Sequence, residues 1–226
     1  MPSPRRADPT LGRFDAAYVA RLDRMKRHEL ASQIGRPLFI YGQALEEAPD
    51  EALNRLRSAL PRAHFFNHDA NGGHYQRASP DVIARLFSVS GVGLCLSAIE
   101  GCMRATMEYL LCGLPVVSTP SIGGRDRYLG TGYCRVVEQD DPEAVAHAVN
   151  ALSSLNLDRQ RVRDHVGQVL AFDRHNFLLA LNKTIRSHFD LSHDLFPTIA
   201  PFLGRTTRYE AVDDLRRSIE AALRQP

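Results

Sequence analysis

Two cations that follow the first predicted strand could bind a diphosphate. Arg21 and Lys26 lie five residues apart, where a strand ends and a helical turn begins. A fixed guanidinium and a flexible ammonium at such a point can hold a diphosphate from two sides. Because Arg and Lys are frequent in this sequence, an ordinary basic turn explains the spacing equally simply, and taken alone it is the commoner explanation.

Two carboxylates follow the fourth predicted strand. We expect Glu100 in the loop at the carboxyl end of that strand, with Gly101 permitting the turn and Glu108 two turns further on. The helix N-terminus between them would offer free backbone N–H groups to a phosphate. If Glu100 is counted as helical, the carboxylates lie roughly 12 Å apart along the axis. That separation suits a long ligand such as a sugar nucleotide, although a solvated helix face commonly shows the same spacing.

The residues downstream of Glu108 add a recognisable context. The helix is predicted to end on Gly113, the next strand opens with Pro115, and Gly123-Gly124 forms a loop after that strand. Glycine commonly ends a helix, and proline within a sheet is found mainly at strand starts and edges. The glutamates are therefore expected beside a second loop at the same sheet edge.

Composition limits the classes of protein to which this chain can belong. The 226 residues are 44% apolar and 24% charged with a formal net charge of +2, which is typical of a globular protein and predicts no nucleic-acid partner. The four cysteines form no CxxC pair, and the first ten residues have no apolar core, so we expect a cytoplasmic protein. No apolar run approaches the ~20 residues of a membrane span, which leaves peripheral association with the inner face of the membrane open.

Short apolar runs alternate with amphipathic stretches along most of the chain. The predicted strands are Phe14–Ala20, Leu38–Tyr41, His64–Asn67, Val92–Leu96, Pro115–Ser118 and Tyr133–Val137. Two helices have readable starts, because Ser79-Pro80 and Asp141-Pro142 each place a capping side chain before a proline at the first helical position. The alternation predicts a single Rossmann-like, doubly wound parallel α/β sheet, which binds ligands at the carboxyl ends of its strands.

The pattern becomes wholly helical after Asp158. One apolar stripe, broken near residues 173–176, comprises Val162, Val166, Leu170, Phe177, Leu181, Ile185 and Phe189. An irregular crossing segment with Pro197 and Pro201 then leads to a last amphipathic helix. The predicted divisions are a disordered tail at 1–12, the Rossmann-like domain at 13–190, and a C-terminal helical extension at 191–226.

These motifs together resemble the group-1 retaining glycosyltransferases with the two-domain GT-B fold. Residues 19–26, Val-Ala-Arg-Leu followed by Lys26, resemble the family's V-G-R-L-x-x-x-K turn, and Glu100 with Glu108 reproduce its E-x7-E motif. Residues 113–117 and the later Gly-Gly pair match its G-x-P-V-V and G-G loop. The resemblance identifies the C-terminal, donor-binding half of such an enzyme.

The family's residue roles carry over as implications of this resemblance. Arg21 and Lys26 would stabilise the donor's diphosphate as leaving group, and Glu100 would hold hydroxyls of the transferred sugar; these three are the implied catalytic residues. Glu108 would take the ribose hydroxyls. The implied donor-binding residues are Arg21, Lys26, Glu100, Gly101, Cys102, Met103 and Glu108. The resemblance implies retention of configuration, no metal and no cofactor besides the nucleotide-sugar substrate.

Two departures from the family leave alternatives open. The family's E-G-F-G becomes Glu100-Gly101-Cys102-Met103 here, so a side chain stands where glycine admits the donor. An N-terminal acceptor domain, missing or encoded separately as a partner subunit, is expected for hexosyl transfer in polysaccharide biosynthesis. A catalytically silent nucleotide-sugar-binding or interaction module and a sugar-nucleotide epimerase-like enzyme are the alternatives. A nicotinamide oxidoreductase is disfavoured because no G-x-G-x-x-G follows the first strand.

Overall fold

The computed structural model describes residues 12–101, 103–123, 128–130, 132–189 and 197. Six parallel strands form one sheet in the order β3-β2-β1-β4-β5-β6. Their bounds are β1 Phe14–Arg21, β2 Pro37–Gly42, β3 His64–Phe65, β4 Ser90–Cys95, β5 Val116–Ser118 and β6 Cys134–Val136. The predicted doubly wound α/β fold is confirmed, and each predicted strand has a counterpart in the sheet.

The centre of the sheet is its most buried part. All residues of β4 and β5 are buried, as their nearly continuous apolar runs predict for strands that are covered on both faces. The largest fully buried side chains include Tyr18 on β1, Phe39 on β2 and Tyr109 on a helix beside β4. The core therefore lies around β1, β2 and β4, whose carboxyl ends carry most of the candidate site.

Helices lie between several of the strands and follow the last one. They are α1 Pro49–Ala59, α2 Phe66–Asp69, α3 Pro80–Ser88, α4 Arg104–Leu111, α5 Pro142–Ser154 and α6 Arg159–Phe189. The Oγ of Ser79 accepts a hydrogen bond from the backbone of Val82, and the carboxylate of Asp141 accepts from the first turn of α5. Both predicted N-caps are confirmed. Such caps each stabilise a helix by roughly 1 kcal/mol.

The third strand is shorter than predicted. It ends at Phe65, and α2 begins at the next residue. The reason is the side chain of Asn67, whose Oδ1 accepts the backbone N–H of Tyr41 and whose Nδ2 donates to the carbonyl of Gln76. The side chain of Asn67 thus accepts a backbone N–H of β2 that the backbone of a longer β3 would otherwise have accepted.

The strand order reverses between β1 and β4. From β1 the chain moves outward through β2 to β3, then returns to the other side of β1 and continues through β4 to β6. In open α/β sheets, such a reversal is the point at which ligands bind, beyond the carboxyl ends of the two strands. Of the predicted cations, Arg21 is the last residue of β1 and Lys26 follows it, and the predicted carboxylates follow β4.

The long helix α6 corrects two expectations. It runs unbroken through residues 173–176, which contain neither proline nor glycine to interrupt its backbone ladder. Phe177 is exposed, whereas its neighbour Leu178 is buried. In a continuous helix these two side chains point about 100° apart, so the predicted apolar stripe is wrong at Phe177.

The chain divides into two compact units, Met1–Val166 and Gly167–Pro226. The first unit contains the sheet; the described part of the second is the portion of α6 from Gly167 onward and Pro197. The predicted tail, crossing segment and last helix lie almost wholly outside the described residues, so these domain limits stay predictions. In the described ranges, no helix combines the length and the apolar character that a membrane crossing requires.

Candidate functional site

Arg21 is the last residue of β1, at the carboxyl edge of the sheet. Its side chain is 46% exposed, and its Nε donates to Asp23 Oδ2 at 2.6 Å. Because Nε faces Asp23, this contact leaves the two terminal nitrogens of the guanidinium unused. Two parallel N–H donors are the geometry with which arginine binds phosphate groups.

Asp23 is a buried carboxylate that motif comparison does not single out. Only 1% of the residue is exposed, and its second oxygen accepts the backbone N–H of Leu45 at 2.7 Å. Burial raises the pKa of Asp23, but the hydrogen bonds from Leu45 and Arg21 lower it by more, so its pKa lies below the ordinary value. Asp23 is therefore ionised at neutral pH and joins the end of β1 to the loop after β2.

Lys26 ends a 3₁₀ turn, Arg24–Lys26, that follows β1. The residue is buried, and its Nζ forms an ion pair with Glu100 Oε1. The same Glu100 oxygen accepts a hydrogen bond from Ser97 Oγ at 2.9 Å. The structure thus brings the second predicted cation and the first predicted carboxylate into direct contact.

Buried polar contacts join the turn after β1 to the loop after β4. The hydroxyl of Tyr18 donates to the carbonyl of Lys26 at 2.7 Å and lies 3.1 Å from Ser97 Oγ. The backbone N–H of Ala98 donates to the carbonyl of Met25 at 2.9 Å. Lys26 and Glu100 are consequently held by both their side chains and the backbones that carry them.

The loop after β5 supports Glu100 from the other side. Its Ile122 forms an isolated parallel bridge with Ile99, and the backbone N–H of Glu100 donates to the carbonyl of Ile122 at 3.0 Å. Gly123 has a φ of +128°, and a Cβ at this residue would collide with the carbonyl oxygen of Glu100. Glycine is required here for close approach as well as for conformation. The first glycine of the predicted Gly-Gly loop therefore packs on the first predicted glutamate, whereas residue 124 is outside the described ranges.

Glu108 lies on α4, whose position is set by tight packing against β4. The ring of Tyr109 occupies the space that a side chain at Gly93 would fill, and its hydroxyl accepts the backbone N–H of Val19 at 2.7 Å. Glu108 itself is 41% exposed and is 3.4 Å from the guanidinium of Arg104. Because α4 begins at Arg104, Glu100 is not helical, and the predicted axial separation of the two glutamates does not apply.

The backbone between the two glutamates is partly described. Gly101 is exposed with open space around its Cα, and Met103 is buried at the N-cap position of α4. Cys102 lies outside the described residues. The free N–H groups of the helix therefore begin after Met103 rather than at Gly101, and the side chain of Met103 makes no capping hydrogen bond.

Arg27 is a second residue that motif comparison misses. Its backbone is left-handed, with φ of 50°, and its side chain, which is 15% exposed, makes four hydrogen bonds. These reach the carbonyls of Leu96 and Pro120, the hydroxyl of Thr119 and the carboxylate of Asp140. One side chain thus ties the turn after β1 to the segments that follow β4, β5 and β6. The sequence does not distinguish Arg27, the residue after Lys26, from an ordinary surface arginine.

His28 is buried below the same turn. Its ring lies 4.8 Å from Tyr18 and 5.1 Å from Phe39, measured between centroids, and its Nε2 has no hydrogen-bond partner among the described residues. Burial, followed by the charges of Arg55 and Lys26, lowers the pKa of His28 to about 3. The imidazole is therefore neutral at physiological pH. It packs between the rings of Tyr18 and Phe39 and adds no charge beside the cations of the turn.

The geometry supports binding of a ligand that carries both an anionic group and hydroxyl groups. A half-exposed guanidinium ends β1, a buried ammonium follows that strand, and a carboxylate that is 18% exposed follows β4. In the described part of the chain, no group of three or more His, Cys, Asp or Glu side chains is arranged to hold a metal ion. Among the described residues, the positive groups at this edge include the side chains of Arg21 and Lys26.

Comparison with known proteins assigns the family. Residues 17–154, more than half of the chain, match the family described as Glycosyl transferases group 1. The chain belongs to this family. The resemblance that the two cations, the two glutamates and the proline-containing strand predict is thereby confirmed. No curated protein matches the sequence of this group 1 member.

Solved structures share the fold of this group 1 glycosyl transferase. An α,α-trehalose-phosphate synthase (UDP-forming) from Burkholderia vietnamiensis is similar with a TM-score of 0.51 and 15% identity, over 80% of this chain and 46% of that one. TarM is similar with a TM-score of 0.50 and 10% identity, over 73% of this chain and 34% of that one. The chain therefore spans less than half the length of either protein, and identities this low show a common fold alone.

Proposed function

We propose that this group 1 domain binds a nucleotide-diphosphate sugar at the carboxyl ends of β1 and β4. The observation that carries the proposal is the contact between Lys26 and Glu100, which joins two distant segments where the strand order reverses. Open α/β sheets bind ligands at this point. A cation beside a carboxylate suits a ligand that has both phosphate and hydroxyl groups.

The proposed roles divide the donor between the two strand ends. Arg21 and Lys26 bind the diphosphate and stabilise the negative charge that develops on it as the sugar departs. Glu100 accepts hydrogen bonds from hydroxyls of the transferred sugar, and Glu108 from the ribose. The backbone of residues 101–103 approaches the sugar and the distal phosphate. Catalysis on this proposal consists of positioning and electrostatic stabilisation, without a metal ion.

Donor binding is tested by calorimetric titration with UDP, GDP and their sugar conjugates in the presence of EDTA. We expect one nucleotide series to bind, and Arg21→Ala and Glu108→Ala each to weaken binding by about 1–3 kcal/mol because a charge-assisted contact is lost. A matched control is Arg62→Ala, whose exposed guanidinium contacts the carbonyl of Ser32 instead. A folded sample that binds no nucleotide contradicts the proposal.

Sugar transfer is a further part of the proposal. The family resemblance implies an acceptor-binding domain besides this one. We therefore propose that this chain transfers a hexose, with retention, together with an acceptor-binding partner. The proposed place is the cytoplasm, at the inner membrane face when the acceptor is lipid-linked. The three free cysteines of the described residues suit a reducing compartment. Analysis of the product anomer by NMR, after addition of candidate partner proteins, tests transfer and stereochemistry together.

A silent nucleotide-sugar-binding module is the second candidate, favoured by the buried Met103 where the family has a glycine. It predicts binding without donor turnover. Release of free UDP or GDP that disappears in Glu100→Ala would exclude it. An altered donor sugar formed without any acceptor would instead support an epimerase.

A further inference from the structure

The two cations of the candidate site each contact a carboxylate, but they do so through different parts of their charged groups. Glu100 contacts the single charged atom of Lys26, so it occupies part of the group that a diphosphate would use. Asp23 contacts Arg21 only through Nε, at 2.6 Å, which is the guanidinium nitrogen nearest the backbone. The two terminal nitrogens of Arg21 stay available as a fork.

Asp23 is itself fixed. It is 1% exposed, and its other oxygen accepts the backbone N–H of Leu45 at 2.7 Å, so the carboxylate is anchored between the turn after β1 and the loop after β2. Arg21, by contrast, is 46% exposed and ends a strand, where a long side chain would otherwise sample many rotamers. A fixed acceptor on Nε therefore restricts an otherwise mobile cation.

On the basis of the proposed function, we propose that Asp23 is a positioning residue that orients the guanidinium of Arg21 toward the donor diphosphate. It acts through Arg21 and does not touch the donor. Preorganisation lowers the ordering that ligand binding must impose, since the fork is held in its binding geometry before the diphosphate arrives.

A purely electrostatic role for Asp23 makes the opposite prediction. Removing a carboxylate next to an anion site relieves repulsion and should tighten diphosphate binding. If Asp23 positions Arg21, the neutral variant should bind more weakly although it carries less negative charge. The sign of the change therefore separates the two roles.

The test is calorimetric titration of the full chain with UDP and GDP, comparing wild type, Asp23→Asn, Arg21→Ala and the double variant. Asparagine retains an oxygen for Leu45 but presents a neutral amide to Arg21. We expect Asp23→Asn to weaken binding about five- to tenfold, and to have almost no effect in the Arg21→Ala background, because coupled residues give non-additive changes. A merely structural defect would weaken both backgrounds equally.

A second variant covers the case in which Asp23→Asn does not fold. Arg21→Lys keeps the charge at a half-exposed position but has neither Nε nor a fork. We expect its affinity to approach that of Arg21→Ala. Binding at the wild-type level by Arg21→Lys, or unchanged or tighter binding by Asp23→Asn, would overturn the inference. If the wild-type chain binds neither nucleotide, the proposed function itself fails.

Discussion

The ion pair between Lys26 and Glu100 leads to a prediction whose sign is unusual for a binding-site residue. If the diphosphate binds Lys26, it competes with the Glu100 carboxylate for the same nitrogen. Glu100→Gln removes the competing charge, while the amide oxygen can still accept the hydrogen bond from Ser97. We therefore expect this variant to bind free UDP or GDP more tightly than the wild type does.

The size of the effect follows from the burial of the pair. The side chains of Lys26 and Glu100 are 11% and 18% exposed. Two unit charges about 4 Å apart attract by about 4 kcal/mol at an effective dielectric constant of about 20. Partial exposure and the other N–H groups of the ammonium reduce what a ligand gains, so we expect about 1–2 kcal/mol, or a Kd for the nucleoside diphosphate about five- to thirtyfold lower.

Calorimetric titration of matched glutamine variants tests this reasoning. Glu108→Gln makes the same chemical change on an exposed helix face, and it should weaken binding because the proposed ribose contact is no longer charge-assisted. For the full sugar nucleotide, Glu100→Gln should also shrink the extra affinity that the sugar contributes. Weaker binding of the free nucleotide by Glu100→Gln, in a protein with unchanged thermal unfolding, would refute competition for Lys26.

Two further predictions concern stability, each measured by urea unfolding. Burial lowers the pKa of His28 in the folded protein to about 3, whereas the pKa of an unfolded histidine is near 6.5. The neutral His28 therefore contributes fully to the free energy of unfolding above pH 6.5. That contribution decreases as the pH falls, by about 2 kcal/mol at pH 5. His28→Leu should remove this part of the acid sensitivity between pH 7 and pH 5, and the exposed His74→Gln should not; equal slopes in both variants would contradict the assignment. Gly123→Ala should destabilise by at least about 1–3 kcal/mol because of its positive φ and the collision with Glu100, whereas Gly130→Ala, in open space, should be nearly neutral.

The sheet could be predicted because its signals are local. Continuous apolar runs identify β4 and β5, and serine or aspartate before proline identifies the starts of α3 and α5. The short β3 could not be predicted, because the side chain of Asn67 replaces strand pairing through a contact between residues 26 positions apart. The lengths of the apolar runs and their alternation with amphipathic stretches therefore predict the number of strands more securely than the residues at which the strands end.

The candidate site was predictable to the level of its loops. The motif spacing predicts that Lys26 and Glu100 each lie at the carboxyl end of a strand, and the structure shows that these strands are neighbours and the two side chains are in contact. The motif spacing does not indicate that Lys26 and Glu100 form an ion pair, nor that Asp23 and Arg27 hold the surrounding segments. Those contacts are formed between residues distant in the sequence or by side chains whose type alone is unremarkable.

The guanidinium of Arg27 has a consequence for how the domain meets a ligand. Its four hydrogen bonds fasten the ends of neighbouring strands to one another. The turn after β1 and the segments that follow β4, β5 and β6 are thereby joined into a single connected rim. A ligand that binds here as proposed would meet backbone segments already fastened to one another, and it would be accommodated by half-exposed side chains such as that of Arg21.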